Sequence, residues 1–236
     1  MNVRPIFTVL CSAPLAFALP EGFEMNTFAE PFEVDYPTAL TAAGDGTVYV
    51  SVDHNGSLGK LPKMGKIVSC RDTDGDGKAD QFVDFVASVD SPRGGHFVGD
   101  TLYLIHPPFL SSFRDTTGDG VADEHKVLLE NIGFGLRHPR GSDHTTNGCR
   151  MGIDGWLYIA VGDFGMEGTK GTDGRVVIHR GGAVARVGRA RIGCFAEPSC
   201  QPAARQTDRP DEHCLQRRVI EGGVCARRCR KTWHRC

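Results

Sequence analysis

A chain of 236 residues, 40% hydrophobic and carrying 30 glycines, is one large or two small domains and reads as folded, turn-rich and all-β. Its net charge of −2 is far from the basic balance of a nucleic-acid binder, so no nucleic-acid partner is expected. No apolar run reaches the roughly 18 residues that span a bilayer, so no transmembrane segment is expected either.

Residues 1–18 read as an export signal. Arg4 gives a short basic start, residues 6–19 are mostly apolar although Pro14 interrupts them, and Ala16-Phe17-Ala18 fits a small-x-small cleavage site. A periplasmic or secreted location follows from that reading. A buried first strand is the alternative. Pro31 and Pro37 then punctuate an extended segment.

A weak repeat follows. Gly44-Asp45-Gly46-Thr47-Val48-Tyr49-Val50 returns as Gly99-Asp100-Thr101-Leu102-Tyr103-Leu104 and again as Ile153-Asp154-Gly155-Trp156-Leu157-Tyr158-Ile159. A turn plus an apolar strand at a near-constant period of about 54 residues is how β-propeller blades look in sequence. The predicted architecture over 19–186 is a partial β-propeller of three to four blades, with no helical periodicity. A ring left open exposes blade edges and faces, including Val48, Val50, Val176 and Ile178, so self-association through open blade edges is expected.

Between these strands lie two acidic loops, 72–80 and 115–123. Oxygen ligands are expected from Asp72, Asp74, Asp76 and Asp80, with the carbonyl of Lys78. The second set is Asp115, Thr117, Asp119 and Asp123, with the carbonyl of Val121. Carboxylates packed this closely repel unless a cation sits among them, so calcium is the expected ion. Position twelve is Val83 or Lys126, so neither loop is an EF-hand. A solvated Asp-Gly turn is the plain alternative.

The stretch 137–165 carries the chemistry. Asp154-Gly155 between β-favouring runs predicts a hairpin from Cys149 to Val161. His144 then precedes its first strand, and Gly162-Asp163 follows its second. An imidazole held by a carboxylate is the minimum kit for a general base near neutral pH. The alternative makes His144 a surface-turn residue and Asp163 a loop cap.

Asp143-His144, Gly148, Asp154-Gly155, Tyr158 and Gly162-Asp163 resemble the pattern of the quinoprotein glucose and sorbosone dehydrogenases. That resemblance implies a sugar or alcohol substrate, pyrroloquinoline quinone as hydride acceptor, His144 as the base and Asp163 as its orienting partner. The order of motifs over about 19–186 is similar to the propeller of the large haem-binding dehydrogenase-like proteins of planctomycetes and verrucomicrobia. This chain has no C-x-x-C-H, so no haem is carried over.

Beyond 187 the character changes. Residues 1–187 hold 16 Lys+Arg against 24 Asp+Glu, and 188–236 hold 11 against 5. Six of the nine cysteines fall in this tail, which has little to bury and reads as unstructured or out of frame. Cys225, Cys229, His234 and Cys236 match no common zinc module. On this reading the chain is dehydrogenase-like but truncated and inactive as written, and the alternative is a calcium-binding propeller fragment with a binding or structural role.

Overall fold

The computed structural model describes residues 19–188 together with the short strand segments 197–198, 215–220 and 223–228. The export signal at 1–18, most of the tail and Cys229, His234 and Cys236 of the cysteine–histidine group lie outside the described residues, while Cys225 falls in the segment 223–228.

The chain is an all-β partial propeller. The first blade is a four-stranded antiparallel meander of β1 (Pro37–Ala42), β2 (Val48–Asp53), β3 (Gly65–Arg71) and β4 (Gln81–Val89). The second follows the same order with β5 (Gly94–Val98), β6 (Thr101–His106), β7 (Phe109–Arg114) and β8 (Glu124–Glu130). The third is built on β9 (Asn147–Met151) and β10 (Trp156–Val161). The first strands β1, β5 and β9 of the three blades lie side by side. The repeated tyrosines Tyr49, Tyr103 and Tyr158 all fall on second strands, β2, β6 and β10, which explains their even spacing.

The third blade departs from the meander. After β10 the chain makes a hairpin, β11 (Met166–Gly171) and β12 (Val176–His179), that pairs with the outer strand β8 of the second blade. The second sheet thereby gains two strands. The chain then returns as β13 (Ala183–Gly188), which pairs with β10 from Val161↔Ala183 to Trp156↔Gly188, and the two-residue β14 (Glu197–Pro198) adds to its edge. In the tail, β15 (Leu215–Ile220) and β16 (Gly223–Arg228) form a separate antiparallel hairpin.

The core is layered between blades. Ile67, Phe85, Val86 and Val89 of the first blade meet Leu102, Leu104 and Phe113 of the second. Ile105, Leu110 and Leu129 of the second meet Leu157, Ile159, Val161 and Ala185 of the third. The second blade is therefore covered on both faces. That is why β6 reads as a nearly unbroken apolar run, with Leu102 and Leu104 turned to one neighbour and Ile105 to the other. Each such side chain gains about 1.5–3 kcal/mol over exposure.

The outer face of the first blade is not bare, contrary to the expectation from an open ring. Phe28 and Val34, from the irregular segment before β1, pack on Val50, Val52, Val68 and Cys70, and Val50 is only 7% exposed. Val176 and Ile178, on the added hairpin, do face solvent at 58% and 60%.

His106 closes β6 inside this core, with Nε2 on the Ser111 hydroxyl at 2.8 Å and the rings of Phe109 and Phe113 beside it. Burial, with the nearby His125 adding, pushes its pKa down from 6.5 to about 4. The unfolded imidazole takes up a proton near pH 6.5 that the folded one refuses until about 4, so stability present above that window is lost as pH falls through it. Unfolding free energies from urea titrations at pH 7 and pH 5 should differ by about 2 kcal/mol, and His106→Gln should remove most of that difference. An equal pH dependence in the variant would assign it elsewhere.

Candidate active site

The ends of β2, β4, β8 and β10 all open on the same end of the blades, and the 131–146 loop crosses there. Its last residues enter β9, whose Asn147 pairs with Ala160 near the end of β10. This register brings His144, just before β9, against Asp163, just after β10. His144 Nδ1 lies 2.8 Å from Asp163 Oδ1. An ionised carboxylate only accepts, so Nδ1 donates and Nε2 of the neutral ring is left bare. Nε2 points toward the Asp143 carboxylate at 3.5 Å, and Asp143 is itself drawn to Arg140 at 2.7 Å.

The Gly-Asp pair has a steric reason. A Cβ on Gly162 would sit 2.0 Å from the His144 carbonyl oxygen, so only glycine lets the strand end pass beneath the histidine backbone. His144 holds φ of 55°, a left-handed value that non-glycine residues adopt at a cost of about 1–3 kcal/mol when the surroundings fix them. Here they do. Ser142 hydrogen-bonds Ser91 of the first blade, Thr145 and Thr146 are buried, and Gly141 packs against the Leu58 carbonyl.

Beneath the loop runs an ion pair that local sequence does not announce. Asp53, fully buried at the end of β2, lies 2.9 Å from Arg93 on the connector into β5. Arg93 Nη2 donates to the Gly56 carbonyl at 2.8 Å, and the backbone N–H of Gly148 donates to the Arg93 carbonyl at 3.2 Å. Burial pulls the Arg93 pKa down, and Asp53 and Asp143 oppose that pull.

Also missed in sequence is a group of rings. Phe164 stacks on His138 with centroids 3.9 Å apart and on His144 at 5.4 Å, and the Arg140 guanidinium lies 5.7 Å from its ring. An aromatic directly after the Gly-Asp pair was the available signal. Cys149, inside the motif, is buried and its thiol is pushed up to about 12 by that burial, so it is no nucleophile. A cleft of about 400 Å³ opens elsewhere, over the first strands, between Leu40, Gly95 and Arg150. Arg150 spans it, donating to the carbonyls of Gly95 at 2.9 Å and Leu40 at 3.4 Å, and neither His144 nor Asp163 lines it.

The two acidic loops occupy equivalent places, the turns β3–β4 and β7–β8, on the opposite end of the blades from His144. In the first, the ligand oxygens of Asp72, Asp74 and Asp76 lie within 4.8 Å of one another. Asp72 accepts the backbone N–H of Gly75 at 2.7 Å and of Gly77 at 2.9 Å, which hold its carboxyl below the usual range. Asp80 is turned back to Thr73 at 2.7 Å. Asp76 accepts the N–H of Lys78, whose carbonyl is the group expected to bind. The second loop repeats these contacts through Asp115, Asp119 and Asp123, with Val121 donating to Asp119. Thr117 stands where Asp74 does, so no third carboxylate joins that set.

Residues 12–200 match the family described as "Domain of unknown function (DUF7133)". No curated protein matches the sequence. Among solved structures, the chain is similar to the periplasmic gluconolactonase PpgL of Pseudomonas aeruginosa, with a TM-score of 0.40 and 17% identity over 81% of this chain and 65% of that one. The chain thus spans about 65% of that protein's length, and a likeness this loose transfers neither fold nor activity.

Proposed function

The chain belongs to the DUF7133 family, and on that premise we propose that its His144–Asp163 pair is the proton-accepting half of a sugar- or alcohol-dehydrogenase site. The observation that carries this reading is the 2.8 Å contact of Nδ1 with Asp163, which leaves Nε2, 3.5 Å from the Asp143 carboxylate, as the unprotonated nitrogen of a 43% exposed side chain. A substrate hydroxyl that reaches Nε2 gives up its proton there, and Asp163 steadies the imidazolium that results. Among the described residues, no helix is long and apolar enough to cross a membrane. The export signal and a periplasmic or secreted site of action belong to the same proposal.

Pyrroloquinoline quinone, the acceptor that the resemblance implies, is a polycarboxylate and calls for cations. Arg140 is neutralised by Asp143 and Arg93 by Asp53. Arg137 donates to the neutral Asn131 amide at 3.0 Å, and one guanidinium does not balance a polycarboxylate. The described residues do not fit the quinone, so the reading assigns the proton and routes no step through that group. The test is oxidation of a panel of sugars and small alcohols by the full chain, with a redox dye as the direct acceptor of the hydride's electrons and no quinone added. Substrate-dependent dye reduction is expected, and none with any substrate would overturn the assignment.

A second reading has its own observation, the convergence of Asp72, Asp74 and Asp76. It makes the chain a calcium-binding propeller segment whose first acidic loop takes the ion. Titration calorimetry with Ca²⁺ should show binding that Asp74→Ala weakens by at least roughly tenfold, the scale of losing one charged ligand. A folded wild-type chain that gives no heat would end this reading.

A further inference from the structure

Resting on His144 as the base, we propose that Phe164 is the positioning residue that keeps its reactive nitrogen bare. Asp163 and Phe164 are the two central residues of one four-residue turn, closed by the Gly165 N–H donating to the Gly162 carbonyl at 2.9 Å. Both ends of that turn are pinned by close backbone approach. Gly162 passes under the His144 carbonyl, and a Cβ on Gly165 would meet the His179 carbonyl oxygen at 2.2 Å. A turn so clamped presents the Asp163 carboxylate to Nδ1 and the Phe164 ring to the imidazole face together, the two rings lying 27° from parallel.

The face contact matters because His144 sits between two carboxylates. Rotation of the ring toward Asp143, now 3.5 Å from Nε2, would let Nε2 donate there and carry the proton. A protonated Nε2 cannot accept one from a substrate. Phe164 opposes that rotation only if it is itself fixed. His138 fixes it at 3.9 Å, and the His138 ring is tied to its own loop by the Arg140 N–H at 3.2 Å on Nδ1. His138 also lies 5.4 Å from Phe134, so the brace extends back into the loop.

The experiment reads the ring directly. The full chain labelled with ¹⁵N-histidine is expected to show His144 in the Nδ1–H tautomer, with cross-relaxation to the Phe164 ring. Phe164→Leu should mix the tautomers and lower kcat on the order of tenfold with KM little changed, and Phe164→Tyr should restore both. His138→Gln, which removes the brace and leaves Phe164 in place, should move the tautomer ratio in the same direction. Unchanged tautomers in a folded Phe164→Leu chain, or in His138→Gln where the first variant does not fold, would overturn the inference. A tautomer shift in a protein that oxidises no sugar would instead overturn the dehydrogenase reading and leave the role of Phe164 standing.

Discussion

His144→Asn is expected to lower sugar-dependent dye reduction by about 10²–10⁴-fold in kcat, the usual worth of a positioned general base. Asparagine keeps a group that can meet Asp163 and has no nitrogen that takes a proton at neutral pH, so the substitution isolates basicity from packing. Asp163→Asn is expected to fall in the same direction. Its amide can donate to Nδ1 and so favours the opposite tautomer, with the proton on Nε2. The left-handed backbone at His144 suits asparagine, which adopts such φ values more readily than most residues, so the folded state should survive. Steady-state rates with matched thermal melts check this. Equal rates in His144→Asn and wild type would remove the base from His144.

What could be read in the sequence follows from how local the physics is. The turn-strand repeat is local, since a Gly-Asp turn and an alternating strand lie within seven residues, and it located β2, β6 and β10. The acidic loops are local too, and both fall on the turns between third and fourth strands. The His144–Asp163 contact was legible because one hairpin joins its two halves, so pairing Asn147 with Ala160 brings them together. The β11–β12 hairpin shows its turn at Asp173-Gly174, but nothing within it says that it will pair with β8 rather than extend the third blade. That choice is made by the free edge at Leu129 and Glu130, some forty residues earlier. Phe28 and Val34 were unreadable as a cover for the first blade because their segment has no period. Likewise His138 and Phe164 are ordinary loop residues until the fold stacks them.

Arg93→Met should destabilise the protein by about 3–5 kcal/mol, the largest stability loss expected from any single substitution at this end of the blades. The cost comes from what remains. Asp53 is fully buried, and its Oδ1 is met only by the Asn55 N–H at 3.0 Å. Its Oδ2 accepts no hydrogen bond, so the Arg93 charge at 2.9 Å is what offsets its desolvation. Methionine fills much of the arginine volume but leaves that carboxylate unpaired. The same change also takes the guanidinium donor from the Gly56 carbonyl. Combining Arg93→Met with Asp53→Asn should recover much of the loss, because a neutral amide can still accept from Asn55 and carries no charge to bury. Urea unfolding of the wild type, the two single variants and the double variant measures each step. If the double variant is as unstable as Arg93→Met alone, the cost lies in lost arginine packing and not in the stranded carboxylate.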